Sequence, residues 1–220
     1  MNKLNQLILS FNFEQNFQNL DFYVSKSNAH VFNLIKKWPK KSEKFLNIIG
    51  DKFSGKSHLI NIFLEQNKGL KIESININDD FLKKTKFYEN IILEDLSTHV
   101  NEELLYSLIN IVEAENKHLI ITSKVSITKM NFNLLDLKSR SKFFFLTAIE
   151  NPDDDLMFAL ILKNLSDRQI LIDKKLIDYI IKRINRTYSN ISDFIYKIDQ
   201  ISLKKKRSID FKIIKEALGE

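Results

Sequence analysis

The octapeptide Gly50-Asp51-Lys52-Phe53-Ser54-Gly55-Lys56-Ser57 constrains this chain more than any other segment. It fits the pattern G-x-x-x-x-G-K-[ST], a loop whose backbone N–H groups cradle phosphate oxygens. Two physical requirements explain the residue types. Glycine lets the loop turn and bring its backbone close to the phosphates, and the helix that follows adds partial positive charge at its N-terminus. In that frame Lys56 reaches the outer phosphates and the Ser57 hydroxyl is placed to hold Mg²⁺. The flanks agree: the apolar run from Phe45 to Ile49 precedes the loop, and Leu59, Ile60, Ile62 and Phe63 follow at helical spacing. The chain has only four glycines, and two stand in this motif. A chance turn is the competing explanation, and the strand before and helix after weigh against it.

The rest of the chain divides into two patterns. Up to about Glu150, short apolar runs alternate with helix-like segments. Phe45 to Ile49, Leu70 to Ile75, Asn90 to Leu93, His118 to Thr122 and Phe143 to Ala148 read as buried strands. Leu104, Leu105, Leu108, Ile111 and Val112 form an apolar stripe at helical spacing between two of them. This alternation predicts an α/β fold: a five-stranded parallel sheet with helices on both faces. After Glu150 the strand signals stop. Asn151-Pro152 reads as an N-cap and first helical position, and Asp153, Asp154 and Asp155 suit a helix N-terminus better than a metal site. Further helices are expected from Asp173, from Asn190 and near Asp210. The organisation predicted is an N-terminal segment over 1–15, a nucleotide-binding domain over 16–150 and a small helical domain over 151–220.

Composition narrows the classes. At 220 residues the chain suits one large α/β domain, or one domain with a small appendage. It has no cysteine, which excludes disulfides and thiolate metal sites. The net charge of +6 comes from dispersed lysines. Only Lys204-Lys205-Lys206-Arg207 forms a run, read either as a solvated helix end or as a phosphate-contacting patch. The first residues lack the continuous apolar stretch of a secretory signal. No segment approaches the ~18 apolar residues of a membrane helix. A cytoplasmic protein is the expectation.

Two further segments carry chemistry. Ile91-Ile92-Leu93-Glu94-Asp95 ends a strand in carboxylates, as a nucleotide hydrolase needs. Glu94 is the candidate Mg²⁺ ligand and Asp95 the candidate to orient water; a solvent-facing pair is the alternative. Thr122 and Ser123, at the next strand end, fall where a γ-phosphate sensor would sit. Gln6-Leu7-Ile8-Leu9-Ser10-Phe11 has the spacing of an extended segment docking in a pocketed surface, or of a strand packing on its own core.

Together these segments resemble the DnaA-related AAA+ proteins, and most closely the Hda family of regulatory inactivators of DnaA. The resemblance covers nearly the whole chain. Phe17-Gln18-Asn19-Leu20-Asp21-Phe22-Tyr23-Val24, followed by Ser27-Asn28, resembles the family's entry to the adenine pocket. Leu137-Lys138-Ser139-Arg140 resembles a box whose arginine acts in trans on a neighbour's nucleotide. Asp167-Arg168-Gln169 and the helices after it resemble the AAA+ lid. The resemblance implies a P-loop AAA+ sheet with a C-terminal helical lid. It implies that Gly50 to Ser57, His58, Phe22 and Val24 bind ADP or ATP with Mg²⁺. It further implies that Gln6, Leu7, Leu9 and Phe11 bind the sliding clamp of DNA polymerase III, and that Arg140 acts on ATP held by DnaA. DNA would be met indirectly through the clamp, and a homo-oligomer is possible.

Two departures bear on activity. Glu94 stands where the family has Asp, and Ser192 stands where the lid carries an arginine toward the phosphates. Both favour a nucleotide-binding regulator holding ADP over its alternatives. Those are a self-sufficient AAA+ ATPase of the clamp-loader or DNA-loading type and a non-enzymatic DnaA-binding paralogue.

Overall fold

Apolar β-branched runs with little polar content are stable only in a sheet covered on both faces. The computed structural model, which describes residues 22–39 and 43–220, has this arrangement. The strands are β1 Phe45–Ile49, β2 Gly69–Glu73, β3 Asn90–Leu96, β4 His118–Ser123 and β5 Phe145–Ala148. They form one parallel sheet in the order β2-β3-β4-β1-β5. The crossovers carry α1 Ala29–Lys36 before the sheet, then α2 Lys56–Gln66, α3 Asp79–Thr85, α4 Glu102–Ala114 and α5 Leu135–Arg140.

Side-chain alternation along the strands divides the core. Leu46, Ile48, Ile92 and Ile120 pack with Val31 and Ile35 of α1 and Leu59, Ile60 and Phe63 of α2. Ile91, Leu93, Leu119 and Ile121 face the other way, onto Leu105, Leu108, Ile109 and Val112 of α4, with Phe81 of α3 and Leu137 of α5. The result is a three-layer α/β/α arrangement with β1 inside the sheet and the Gly50–Ser57 loop leaving its C-terminal end.

Several boundaries differ from the sequence expectation, each for a local reason. β2 stops at Glu73 because Ser74–Asn76 winds into a 3₁₀ turn, tied down by Ser74 Oγ donating to Asp95 O at 2.8 Å. β5 begins at Phe145, since Ser141–Phe143 is another such turn and Ser141 Oγ donates to Lys138 O. β3 runs on to Leu96 through an irregularity described below.

Beyond β5 come only helices: α6 Asp154–Asp167, α7 Lys174–Ile181, α8 Tyr188–Lys205 and α9 Phe211–Leu218. Met157, Ile161, Ile177, Ile180, Ile195, Ile198 and Ile214 make their common core. The first of these helices is capped by Asp153, not by Asn151. Asp153 Oδ1 accepts from Leu156 N at 2.9 Å, and Oδ2 accepts from Ser27 N at 3.3 Å. One carboxylate thus closes the helix and ties it to the segment before α1, which the Asn151-Pro152 cap would not do. α8 starts two residues before Asn190, with Thr187 Oγ1 accepting from Asn190 N at 3.2 Å. Lys206, in the left-handed conformation, ends α8 within the basic run. Leu156 and Tyr188 reach out of the helical group into the α1/α2 core. The Tyr188 hydroxyl donates to Glu150 O at 3.1 Å, and burial pushes its phenol up to about 12.

One polar side chain in the sheet core has a structural task. Asn47 is fully buried on the α4 face. Its Nδ2 donates to Ile121 O at 3.2 Å and Ser123 Oγ at 2.8 Å, and its Oδ1 accepts from Ile127 N at 3.0 Å. Asn47→Ala strands the Ile127 N–H in a dry core, a loss of about 1–3 kcal/mol. Calorimetry is expected to show the melting temperature of the variant lowered by roughly 2–12 °C for a chain of this size.

Candidate phosphate-binding site

The loop from Gly50 to Ser57 leaves the end of β1 anchored to β4, with Gly50 N donating to Ser123 O at 3.0 Å. Ser54 N closes the loop onto Asp51 O at 3.2 Å. Gly55 caps α2 at φ +89°, in the left-handed region, and a Cβ there would lie 3.1 Å from Cε2 of Phe22. Backbone conformation and packing therefore both demand glycine. Phe53 also adopts a positive φ, +66°, without being glycine. Such backbone strain is concentrated at ligand clamps.

Lys56 is buried, and its ammonium turns back onto the loop, donating to Gly50 O and Asp51 O at 3.0 Å each. Burial lowers its pKa from the ordinary lysine value. The carboxylates of Asp95, then Asp51, then Glu94 oppose the shift, and Lys124 adds to it. Ser57, on the first turn of α2, is half-buried. The loop thus offers backbone donors, a helix N-terminus and one ammonium, an arrangement chemically suited to a polyphosphate.

Phe22 stacks on Phe32 of α1 with ring centroids 5.5 Å apart and meets His58 of α2 edge-on at 5.2 Å. The structure brings Phe22 and His58 together at the loop, whereas Val24 is exposed. Asn28 shapes this segment, accepting from Ser25 N and donating to Tyr23 O.

At the end of β3 the register slips. Leu93 pairs with Ile121 and Leu96 with Ser123, so Glu94 and Asp95 together stand opposite Thr122. Asp95 takes a left-handed φ of +51°, and its N–H donates to Thr122 Oγ1 at 3.0 Å. This bulge turns Asp95 out to solvent and leaves Glu94 buried. Glu94 Oε2 pairs with Lys71 Nζ at 3.1 Å, while Oε1 is buried without a hydrogen-bond partner. The sensor-position hydroxyls have local duties: Thr122 holds the bulge and Ser123 accepts from Asn47. Among the described residues, no group of three or more His, Asp and Glu side chains could hold a metal ion.

The structure adds three residues that sequence reasoning did not single out. Asp51 Oδ2 accepts from Ser189 Oγ on α8 at 3.0 Å, and Asp51 Oδ1 lies 3.6 Å from Lys124 Nζ. Burial alone would raise the pKa of Asp51, but the bonds from Lys52 N and Ser189 and the Lys124 charge bring it below the usual value. Ser189, not Ser192, is the α8 side chain that meets the loop. The third residue is Lys71. Lys124 lies two residues past the expected end of β4 and was findable from that placement; Ser189 is 138 positions from Asp51 and gave no local signal.

Arg140 closes α5 and pairs with Glu113 near the end of α4, its guanidinium 5.8 Å from the centroid of Phe143. It lies just before β5, whose Phe145 aligns with Leu46 at the start of β1. Gly50, where the loop leaves β1, is four residues on from Leu46, about 13 Å away at ~3.3 Å per residue. Its pairing with Glu113 thus sets Arg140 toward the end of the sheet away from its own loop. Gln6, Leu7, Leu9 and Phe11 lie outside the described residues.

No protein-family model matches the chain. Among curated relatives, the chromosomal replication initiator protein DnaA of Buchnera aphidicola subsp. Cinara cedri is 22% identical over 241 residues, covering 98% of this chain and 55% of that protein. An uncharacterized protein of Haemophilus influenzae is 22% identical over 212 residues, covering 90% of this chain and 92% of its own length. The chain spans about half the length of the DnaA proteins it matches. Among solved structures, domain III of DnaA from Thermotoga maritima superposes with a TM-score of 0.73 at 17% identity, covering 94% of this chain and 97% of that one. A DnaA bound to AMPPCP and single-stranded DNA gives 0.65 at 16% identity over 89% of this chain and 70% of that one. The Holliday junction branch migration motor RuvB of Thermotoga maritima gives 0.65 at 16% identity over 89% and 69%. The chain has the fold of a DnaA-like AAA+ domain: a five-stranded parallel sheet with helices, followed by a group of C-terminal helices.

Proposed function

We propose that this chain is a nucleotide-binding regulator of replication initiation that stimulates hydrolysis of ATP held by a DnaA partner. The observation that carries the reading is the placement of Arg140 at the end of the sheet opposite Lys56. An arginine so placed has no phosphate of its own to act on, and a neighbouring subunit's nucleotide is the natural recipient. The DnaA relatives and the AMPPCP-bound DnaA neighbour make a purine nucleotide the ligand in keeping with the fold.

On this reading Lys56 leaves the carbonyls of Gly50 and Asp51 for the phosphates of ADP or ATP. The loop N–H groups from Asp51 to Ser57 orient those oxygens, and Phe22, His58 and Val24 border the base side. Mg²⁺, when bound, supplies charge neutralisation at the phosphates, and the Ser57 hydroxyl is the side chain placed to hold it. Asp95 is the exposed carboxylate nearest in charge effect to Lys56, and any intrinsic hydrolysis would depend on it. The bound nucleotide acts mainly to stabilise the domain, because Ser192 supplies no cation and Glu94 is already paired. The chain is read as cytoplasmic, meeting DNA through the sliding clamp; no helix among the described residues is long and apolar enough to cross a membrane.

To act in trans, Arg140 must exchange Glu113 for a phosphate oxygen. Arginine fingers contribute ~10³–10⁵ in rate, so Arg140→Ala is expected to lower stimulation of DnaA-ATP hydrolysis by at least ~10²-fold. Undiminished stimulation in that assay counts against the finger, and turnover by the chain without DnaA supports the self-sufficient ATPase instead. The clamp tether is tested separately. Gln6→Ala with Leu9→Ala should abolish retention on immobilised sliding clamp, and retention equal to wild type rejects the tether.

A further inference from the structure

Glu94 and Lys71 meet on the face of the sheet that α2 covers. In the β2–β3 pair Glu73 aligns with Glu94 and Lys71 with Ile92, so Lys71 and Glu94 share one face. Ile92, two residues before Glu94, packs with α2 through Leu59 and Phe63. The Lys71 ammonium lies 3.1 Å from Glu94 Oε2 and 3.4 Å from Asn61 Oδ1. Asn61 is one helical turn beyond Ser57 on α2. The ammonium therefore bridges the acidic strand end and the helix turn next to the one that carries Ser57.

This is the position where a nucleotide's divalent cation would look for a protein carboxylate. Mg²⁺ is small, keeps several waters, and is usually held in such sites by one or two carboxylates together with the phosphates. Here the carboxylate is buried: Oε2 is paired with a cation from the neighbouring strand, which neutralises the charge, and Oε1 has no hydrogen-bond partner. A divalent ion would have to displace that ammonium or sit beside it against like-charge repulsion. The donor set does not fit a tightly held metal, although the Ser57 hydroxyl is present. Positive charge at the loop itself comes from the buried Lys56 and from Lys52, with Lys124 exposed beside Asp51, while Lys71 holds the charge at Glu94.

We propose that Lys71 takes the place of the divalent cation at Glu94, so that this site holds its nucleotide with little dependence on Mg²⁺. The inference rests on the nucleotide-binding reading above. It also makes the chain a poor hydrolase for a reason separate from its lid, because the carboxylate that would organise the metal is engaged.

The test is the affinity of the full chain for the fluorescent probe mant-ADP, measured with Mg²⁺ and with EDTA. Wild type is expected to change its dissociation constant by less than about twofold, and Lys71→Met to acquire a dependence of about tenfold or more. The double variant Lys71→Met with Glu94→Gln removes the acquired ligand and is expected to return to the wild-type independence. A wild type that loses affinity about tenfold or more in EDTA overturns the inference alone, as does a folded Lys71→Met variant no more Mg²⁺-dependent than wild type. If Lys71→Met does not fold, Lys71→Gln takes its place in the same measurement, with the same acquired dependence expected. Absence of mant-ADP binding by the wild type, matching a Lys56→Ala control, overturns the nucleotide reading and the inference with it.

Discussion

A parallel strand cannot be followed by a tight hairpin, so each strand must leave the sheet with backbone groups that need new partners. In this chain the end of β4 meets much of that need. Ser123 O accepts from Gly50 N where β1 leaves, Thr122 Oγ1 accepts from Asp95 N where β3 bulges, and Ser123 Oγ accepts from the buried Asn47. The phosphate loop and the acidic bulge are thus referred to the same two residues. Their mutual geometry is set by backbone and hydroxyl contacts in a dry core, where an unmade hydrogen bond is expensive.

The charged groups around the loop are each met by a partner from the protein. Lys56 is buried and satisfied by two carbonyls, Asp51 by Lys52 N, Ser189 and Lys124, and Glu94 by Lys71. Lys56 and Glu94, the buried charges here, thus have protein partners, although Glu94 Oε1 has none. Asp51 also sets a pH limit. Its pKa is depressed in the folded state, so its contribution is complete above the ordinary value of 3.8 and is lost as pH falls through the lower folded value.

Much of the architecture was legible because strand alternation and helix spacing are local signals. The runs at Phe45 and His118 became strands almost as read, and the loop motif sits between strand and helix as its chemistry requires. Less legible was what depends on contacts distant in sequence. The helix-start reading near Asp153 was right in kind, but Asn151 lost the cap to Asp153 because Asp153 also accepts from Ser27 N. α1 was not foreseen: its Val31 and Ile35 bury one narrow stripe on a helix of only eight residues. The sequence of β3 reveals its carboxylates but not the bulge that turns Asp95 outward and Glu94 inward. Lys71 and Ser189 acquire their roles only when β2 and α8 are brought to the loop.

The bond from Ser189 to Asp51 joins the phosphate loop to the first turn of α8, and Tyr188 beside it is tied to Glu150. α8 has 18 residues, about 27 Å at 1.5 Å per residue. Ile195 and Ile198 pack α8 into the helical group, so a tilt at the loop contact carries those helices with it. By the same rise per residue, a tilt of about 10° there sweeps the far end, with its cluster of lysines, through about 5 Å. A change too small to alter the loop's fold is thereby enlarged at the far end of the helix.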